Sequence, residues 1–252
     1  MKTIAVVNLK GGVGKTTITH NLAGVFAERG SRVLLVDLDH QANLSSIYIP
    51  HLTERSEDDG LTRALFDGMS LSEIIKPTRL QNVWLAPADL DLNMIDSRFS
   101  NDLASHFILA DLLEREAANY DFTLIDCPPH MGMAVGMALV AADAYIIPLD
   151  LDHWAYRGSQ RIQDAAEKTR RRANQQLTFL GYVASKVQAR SKLNQQMLGF
   201  LQEHFAEDLK PTYIRESVRY REAAAMGLPI THYLPTSEQA SAFRSLAQDM
   251  RL

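Results

Sequence analysis

Short runs of consecutive apolar residues alternate along this chain with longer stretches in which apolar positions recur every three or four residues. The short runs occupy residues 3–7, 32–39, 122–126, 144–149, 178–185 and, at reduced length, 213–214. A strand buried on both faces has this character, because side chains on either side of it must avoid water. Of the longer stretches, 16–29 places Ile18, Leu22, Val25 and Phe26 on one helical face before Gly30 stops the turn, and 158–174 and 193–205 read as further helices. Alternation of buried strands with helices predicts an α/β, doubly wound fold, a mostly parallel sheet flanked by helices. Residues 40–82 are less regular; short helices are expected at 61–66 and 71–75, with an acidic patch at Glu57, Asp58 and Asp59. Near the end, residues 237–252 carry Phe243, Leu246 and Met250 with only two arginines, a stripe expected to pack onto the rest of the chain.

Between the first strand and the first helix lies Lys10-Gly11-Gly12-Val13-Gly14-Lys15-Thr16-Thr17. A glycine-rich loop at a strand-to-helix junction directs backbone N–H groups and the positive end of the helix at phosphate oxygens, and the glycines let the backbone approach closely. This loop is therefore expected to bind a nucleoside triphosphate, with Lys15 on the β- and γ-phosphates and the Thr16 hydroxyl on Mg²⁺. The usual P-loop spacing requires glycine where Leu9 stands, and Lys10 is an addition. With Lys15 in the inner position, Lys10 is expected to leave its own cradle and serve the phosphate of a neighbouring subunit.

Two further runs end in acids. Residues 32–39 close on Asp37 and Asp39, and 122–126 on Asp126, followed by Cys127-Pro128-Pro129. Ligands of open α/β sheets bind beyond the carboxyl ends of the strands, which would bring these acids near the phosphates. Asp39 either orients a water for attack or caps the following turn, and Asp126 is expected to hold Mg²⁺ directly or through water.

Composition narrows the setting. The 252 residues are 46% hydrophobic with a mean hydropathy of -0.15, ample for one continuous core over 1–252. No stretch approaches the roughly 20 apolar residues that span a bilayer. The opening Met1-Lys2-Thr3-Ile4 runs straight into the first strand, so neither a leader nor a preceding DNA-reading domain is expected. The single cysteine, Cys127, excludes an intrachain disulfide and fits a reducing cytosol. The net charge of -4 conceals an asymmetry: residues 1–150 hold 11 Lys and Arg against 20 Asp and Glu, whereas 151–252 hold 15 against 10. The basic half, with Lys168, Arg170, Arg171, Arg172, Arg190, Lys192, Arg215, Arg219 and Arg221, either gathers a face for polyanions or presents ordinary solvated helices. The eight histidines show no metal-site spacing, and His20 and His106 read as surface or core residues. Met131, Met133 and Met137 read as core filling or dimer contact, and Trp84 and Trp154 as packing residues.

Taken together, the Lys10–Thr17 loop, the strand through Asp39 with Gln41 and Asn43 after it, and Leu124-Ile125-Asp126-Cys127-Pro128-Pro129 resemble the motifs of the ParA/MinD deviant Walker ATPases, a P-loop NTPase-like group. Within it the chain looks like the ParA partition ATPases, of the short form without a helix-turn-helix. Residues 212–223 and 227–230 look like the segment beside the adenine. The resemblance implies an ATP- and Mg²⁺-dependent hydrolase whose ATP-bound homodimer traps nucleotide between subunits, Lys10 of each reaching the other's. Gly11, Gly12, Val13, Gly14, Lys15, Thr16 and Thr17 would bind nucleotide, Asp39 position the hydrolytic water and Asp126 support the metal. It further implies DNA binding without sequence preference, through Arg190 and Arg219, a ParB-type activator, and a cytoplasmic, nucleoid-associated protein that segregates chromosome or plasmid DNA. His40 and Ala42 stand where the family has proline and glycine, and Arg215, Glu216 and Ser217 where it has proline, arginine and asparagine. A MinD-like ATPase positioning a protein or membrane-associated assembly is the alternative, but it requires an amphipathic terminal helix. An iron protein resembling nitrogenase reductase needs more thiolates than Cys127.

Overall fold

A computed structural model describes residues 1–49, 60–100, 102–151, 155–188 and 190–252. The acidic patch at 57–59 and Trp154 lie outside these residues. Seven strands form one sheet: β1 (Lys2–Val6), β2 (Val33–Asp37), β3 (Lys76–Pro77), β4 (Val83–Ala86), β5 (Phe122–Asp126), β6 (Ala144–Asp150) and β7 (Thr178–Ser185). Their order is β3-β4-β2-β5-β1-β6-β7, parallel throughout except for the β3–β4 pair at one edge. The chain has the doubly wound fold expected from its pattern.

Alternation along each strand explains why the runs are apolar without a break. Ile4, Val6, Val33, Leu35, Leu124 and Ile146 face one layer, built on Ile18, Leu22, Phe26, Phe243 and Leu246. Ala5, Val7, Leu34, Val36, Ile125 and Ile147 face the other, built on the helices Leu61–Asp67, Ile108–Arg115 and Met133–Ala141. The C-terminal stripe packs as expected. Within the helix Glu238–Asp249, Phe243 and Leu246 are fully buried, with Met250 just beyond it.

Three expectations need correction or extension. Residues 213–214 are not a strand: Ile214 exchanges single backbone hydrogen bonds with Ala184 and Val187, and only an isolated bridge, Val187 to Arg215, follows. The irregular region conceals β3, and β4 directly after it was not expected; Asn82 enters β4 at a φ of 65°. The helices Ile108–Arg115 and Met133–Ala141 were also not anticipated.

The helix Lys15–Glu28 is clamped from outside by residues 227–231. Asn21 Oδ1 accepts from the Ile230 N–H at 2.7 Å, and the His20 ring contacts the Leu228 carbonyl at 3.0 Å and the Tyr48 hydroxyl at 2.8 Å. Burial pushes the His20 pKa down to about 4, so the ring is neutral inside the protein. A methyl group at Gly24 would meet Pro229 Cβ at 2.4 Å and Thr231 Oγ1 at 2.6 Å. Alanine gains about 1 kcal/mol in helix propensity, but overpacking against a proline costs about 1–3 kcal/mol. Gly24→Ala is expected to lower stability in urea by up to about 2 kcal/mol at unchanged m; a gain would show that 229–231 yields freely.

Candidate nucleotide site

The loop after β1 is held from both sides. Asn8, buried at the strand's end, accepts from the Lys10 N–H at 2.9 Å and donates to the Pro148 carbonyl of β6. Across the loop, Ser185 Oγ at the end of β7 donates to the Val13 carbonyl at 2.6 Å. Gly12 and Gly14 adopt φ values of 74° and 90°, the left-handed region closed to most residues, and Gly14 turns the chain directly into the helix Lys15–Glu28. Lys15 is 7% exposed, and its ammonium folds back to donate to the Lys10 carbonyl at 3.2 Å. Burial lowers its pKa, opposed by the nearby acids Asp126 and Asp39. Lys10 behaves differently: its side chain leaves the loop and pairs with Asp150 at the end of β6, at 2.5 Å.

Strand order brings the acids together. Because β5 lies between β1 and β2, Asp126 is in register with both Val6 and Asp37. Thr16 Oγ1 donates to Asp126 Oδ2 at 2.6 Å, while Asp126 Oδ1 is buried without a hydrogen-bond partner. Burial, followed by repulsion from Asp37, raises the Asp126 pKa well above the ordinary carboxylate range. Asp37 is itself pushed up to about 6, chiefly by burial, although Ser45 donates to its Oδ2 through both N–H (2.8 Å) and hydroxyl (2.7 Å). Two adjoining buried carboxylates, one with an orphaned oxygen beside a threonine hydroxyl, form a hard-oxygen donor set whose nearby cation, the Lys15 ammonium, leaves it short of positive charge. This arrangement fits Mg²⁺.

Asp39 serves the turn and faces the site. Its Oδ1 accepts from the Gln41 N–H at 3.0 Å, and the residue lines a cavity of about 670 Å³ together with Gly11, Gly12, Gly14, Lys15, Thr16 and Thr17. Val13 is buried beneath the loop. At its far end the cavity is closed by Gln188 and by residues 214–218, 220 and 221. Of the two segments expected beside a base, the first lines this cavity. The second, 227–230, instead buttresses the helix as described above.

The AAA_31 family, described as an AAA domain, matches residues 1–179. Across 99% of its length the chain is 31% identical to the chromosome partitioning protein ParA of Caulobacter vibrioides, covering 94% of that protein. It is 32% identical to the sporulation initiation inhibitor protein Soj of Bacillus subtilis, over 99% of this chain and 98% of Soj. The chain belongs to the ParA family. In fold it also matches the ATP complex of a McdA variant from Cyanothece, with a TM-score of 0.86 at 21% identity over 100% of this chain and 97% of that one.

Two residues after Asp39, His40 and Ala42, depart from the ParA pattern. Ala42 takes a φ of 51°, the conformation glycine favours, and opens the helix Asn43–Tyr48. His40 sits with Nδ1 3.7 Å from Asp39 Oδ1. Arg215 pairs with Glu238, and Glu216 accepts from Gln188 Nε2 at 2.6 Å, so this ParA-family chain closes the far end with polar pairs. Arg190 and Arg219 are both exposed, the first in the turn after β7 and the second opening the helix Arg219–Ala225, and the Val187–Arg215 bridge ties the segments that lead to them. Arg170 and Arg171 spend their charge on Glu167. Met137 is core, whereas Met131 is exposed; His106 is half-buried, as is Trp84, which packs on Tyr120. Asp150 and Ser185 were missed by sequence reasoning, yet both stand at the carboxyl end of a strand, the position that identified Asp39 and Asp126.

Proposed function

We propose that residues 1–252 act as one ATPase domain that dimerises on binding ATP and Mg²⁺, holds DNA nonspecifically in that state, and releases it after hydrolysis. The observation that carries this reading is the different fate of the two loop lysines. Lys15 is folded into its own loop, whereas Lys10 extends outward to a partly exposed carboxylate. A lysine so placed is available to a second subunit's nucleotide.

In this reading Gly11, Gly12, Val13, Gly14, Thr16 and Thr17 present backbone N–H groups to phosphate oxygens, and Lys15 neutralises charge on the β- and γ-phosphates. Thr16 and Asp126 hold the metal, which when bound supplies charge neutralisation at the transferring phosphoryl group. Asp39 orients the attacking water. Arg190 and Arg219 contact DNA phosphates, giving binding without base readout that weakens with added salt. A ParB-type partner stimulates turnover, and the dimer resides on the nucleoid in the cytoplasm, partitioning chromosome or plasmid DNA. Family membership through ParA and Soj supports partition over membrane positioning. The burial of Phe243, Leu246 and Met250 supports it further, because the stripe a membrane anchor would need is committed to the core.

Lys10→Ala tests the central point. ATP binding is expected to stay within about threefold of wild type, while the ATP-dependent dimer weakens at least about thirtyfold, the loss typical of one removed partner in a desolvated charge pair. Sedimentation in Mg²⁺ and a non-hydrolysed ATP analogue measures both states. Normal dimerisation of the variant would refute the cross-subunit role. Retention on nonspecific DNA, compared between ATP and ADP and with Arg190→Ala and Arg219→Ala, tests the DNA assignment.

A further inference from the structure

We propose that Lys186 is a third lysine of the phosphate loop, a cation supplied by the same chain that binds the polyphosphate from the open side of the cradle. The inference rests on the nucleotide assignment above and extends it to a residue outside the loop motif.

β7 ends at Ser185, whose hydroxyl donates to both the Val13 and Leu149 carbonyls, so the strand end is pinned beneath the loop. The next residue therefore emerges at the loop's mouth. Lys186 lines the same cavity as Gly12 and Gly14, and its Nζ lies 3.6 Å from where a Cβ on Gly12 would stand.

The backbone supplies a second, independent observation. Lys186 has a φ of 54°, a left-handed conformation that glycine would adopt without strain. The surroundings enforce it: Ile214 N–H donates to the Ala184 carbonyl on one side, and Val187 N–H to the Ile214 carbonyl on the other. Strained residues persist where the surrounding structure over-determines them, and they concentrate at ligand sites. A long cationic side chain at such a position is a poor choice for the backbone alone.

Lys15 is turned inward to the Lys10 carbonyl, and Lys10 is paired with Asp150. Lys186 is exposed and, among the described residues, has no hydrogen-bond or ion-pair partner. Its ammonium thus stands uncompensated beside a loop whose N–H groups select anions. The ligand that fits is the polyphosphate of a nucleoside triphosphate, and the contribution should grow with phosphate charge from AMP to ADP to ATP.

Titration of the full chain with fluorescent ATP and ADP, competed by unlabelled AMP, ADP and ATP, tests this with Lys186→Gly, Lys186→Met and Lys186→Arg. Lys186→Gly and Lys186→Met are expected to weaken ATP about tenfold or more and AMP less than about threefold, as for loss of one charge-assisted contact. Lys186→Arg is expected to stay within about threefold of wild type. The thermal midpoint of Lys186→Gly should equal or exceed wild type, because glycine relieves the left-handed backbone. Unchanged ATP affinity in the Gly and Met variants, with wild type binding ATP, overturns the inference while leaving the nucleotide site intact. Weakened binding together with lowered midpoints in both would make Lys186 a structural brace and also overturn it. A wild-type chain that binds no ATP overturns the underlying assignment itself.

Discussion

Lys15→Ala is expected to eliminate ATP binding at accessible concentrations, a loss of about a hundredfold or more. The ammonium is buried at the base of the loop, and burial already lowers its pKa, so it is poorly solvated and gains strongly from an added polyanion. Removing one member of such a desolvated charge contact costs about 2–5 kcal/mol, or roughly thirty- to several-thousandfold in affinity. The variant also strips a cation from beside Asp126 and Asp39, which adds repulsion to a site already short of positive charge. Equilibrium dialysis or calorimetry with Mg²⁺-ATP measures the effect. Lys15→Arg should not rescue it, because the longer planar guanidinium does not fit a loop that folds lysine back onto the Lys10 carbonyl. Binding within fivefold of wild type in Lys15→Ala would displace the nucleotide from this loop.

Asp39→Ala should separate binding from hydrolysis. Asp39 lines the cavity without sharing the Thr16–Asp126 hydrogen bond, so the metal donors remain in place when it is truncated. Turnover is expected to fall about a hundredfold or more, the usual worth of a group that orients a reacting water, with ATP affinity changed by less than about threefold. The ATP-bound dimer should consequently accumulate and persist on DNA. Single-turnover phosphate release gives the chemical step, and sedimentation gives the dimer. Asp39 also accepts from the Gln41 N–H, so an unfolding scan must show that the turn survives. Retained hydrolysis in a folded Asp39→Ala would return Asp39 to the role of a turn cap.

The parts of this molecule that were legible in the sequence are those fixed by local pattern. β1, β2, β5 and β6 were visible because they are buried on both faces and therefore mainly apolar, and β7, at the sheet edge, because its second half is buried. The loop from Lys10 to Thr17 was visible because phosphate binding needs its glycines and lysines at fixed separations along one stretch of chain. β4 escaped notice because four residues are too few to establish a period. The helix Met133–Ala141 escaped because it is apolar on nearly every side and shows no face. Residues 213–214 imitated a strand, yet their backbone makes single bonds to the end of β7 rather than a ladder. At the site, Asp37 and Asp126 become neighbours only through the insertion of β5 between β1 and β2, and Asp150 and Lys186 reach the loop only because β6 and β7 extend the sheet beyond β1. Strand order is a property of the whole sheet, and no run of residues declares it.

The Lys10–Asp150 ion pair gives the solitary chain a resting posture. With side chains 38% and 19% exposed, such a pair contributes at most about 1 kcal/mol. The mooring is weak enough to slip when a more highly charged acceptor arrives from across an interface, and strong enough to keep the arm from wandering into its own pocket beforehand. In the proposed dimer, assembly is then a change of berth for one ammonium group, and the departure leaves Asp150 facing the newcomer as a bare anion that favours separation once the phosphate has gone.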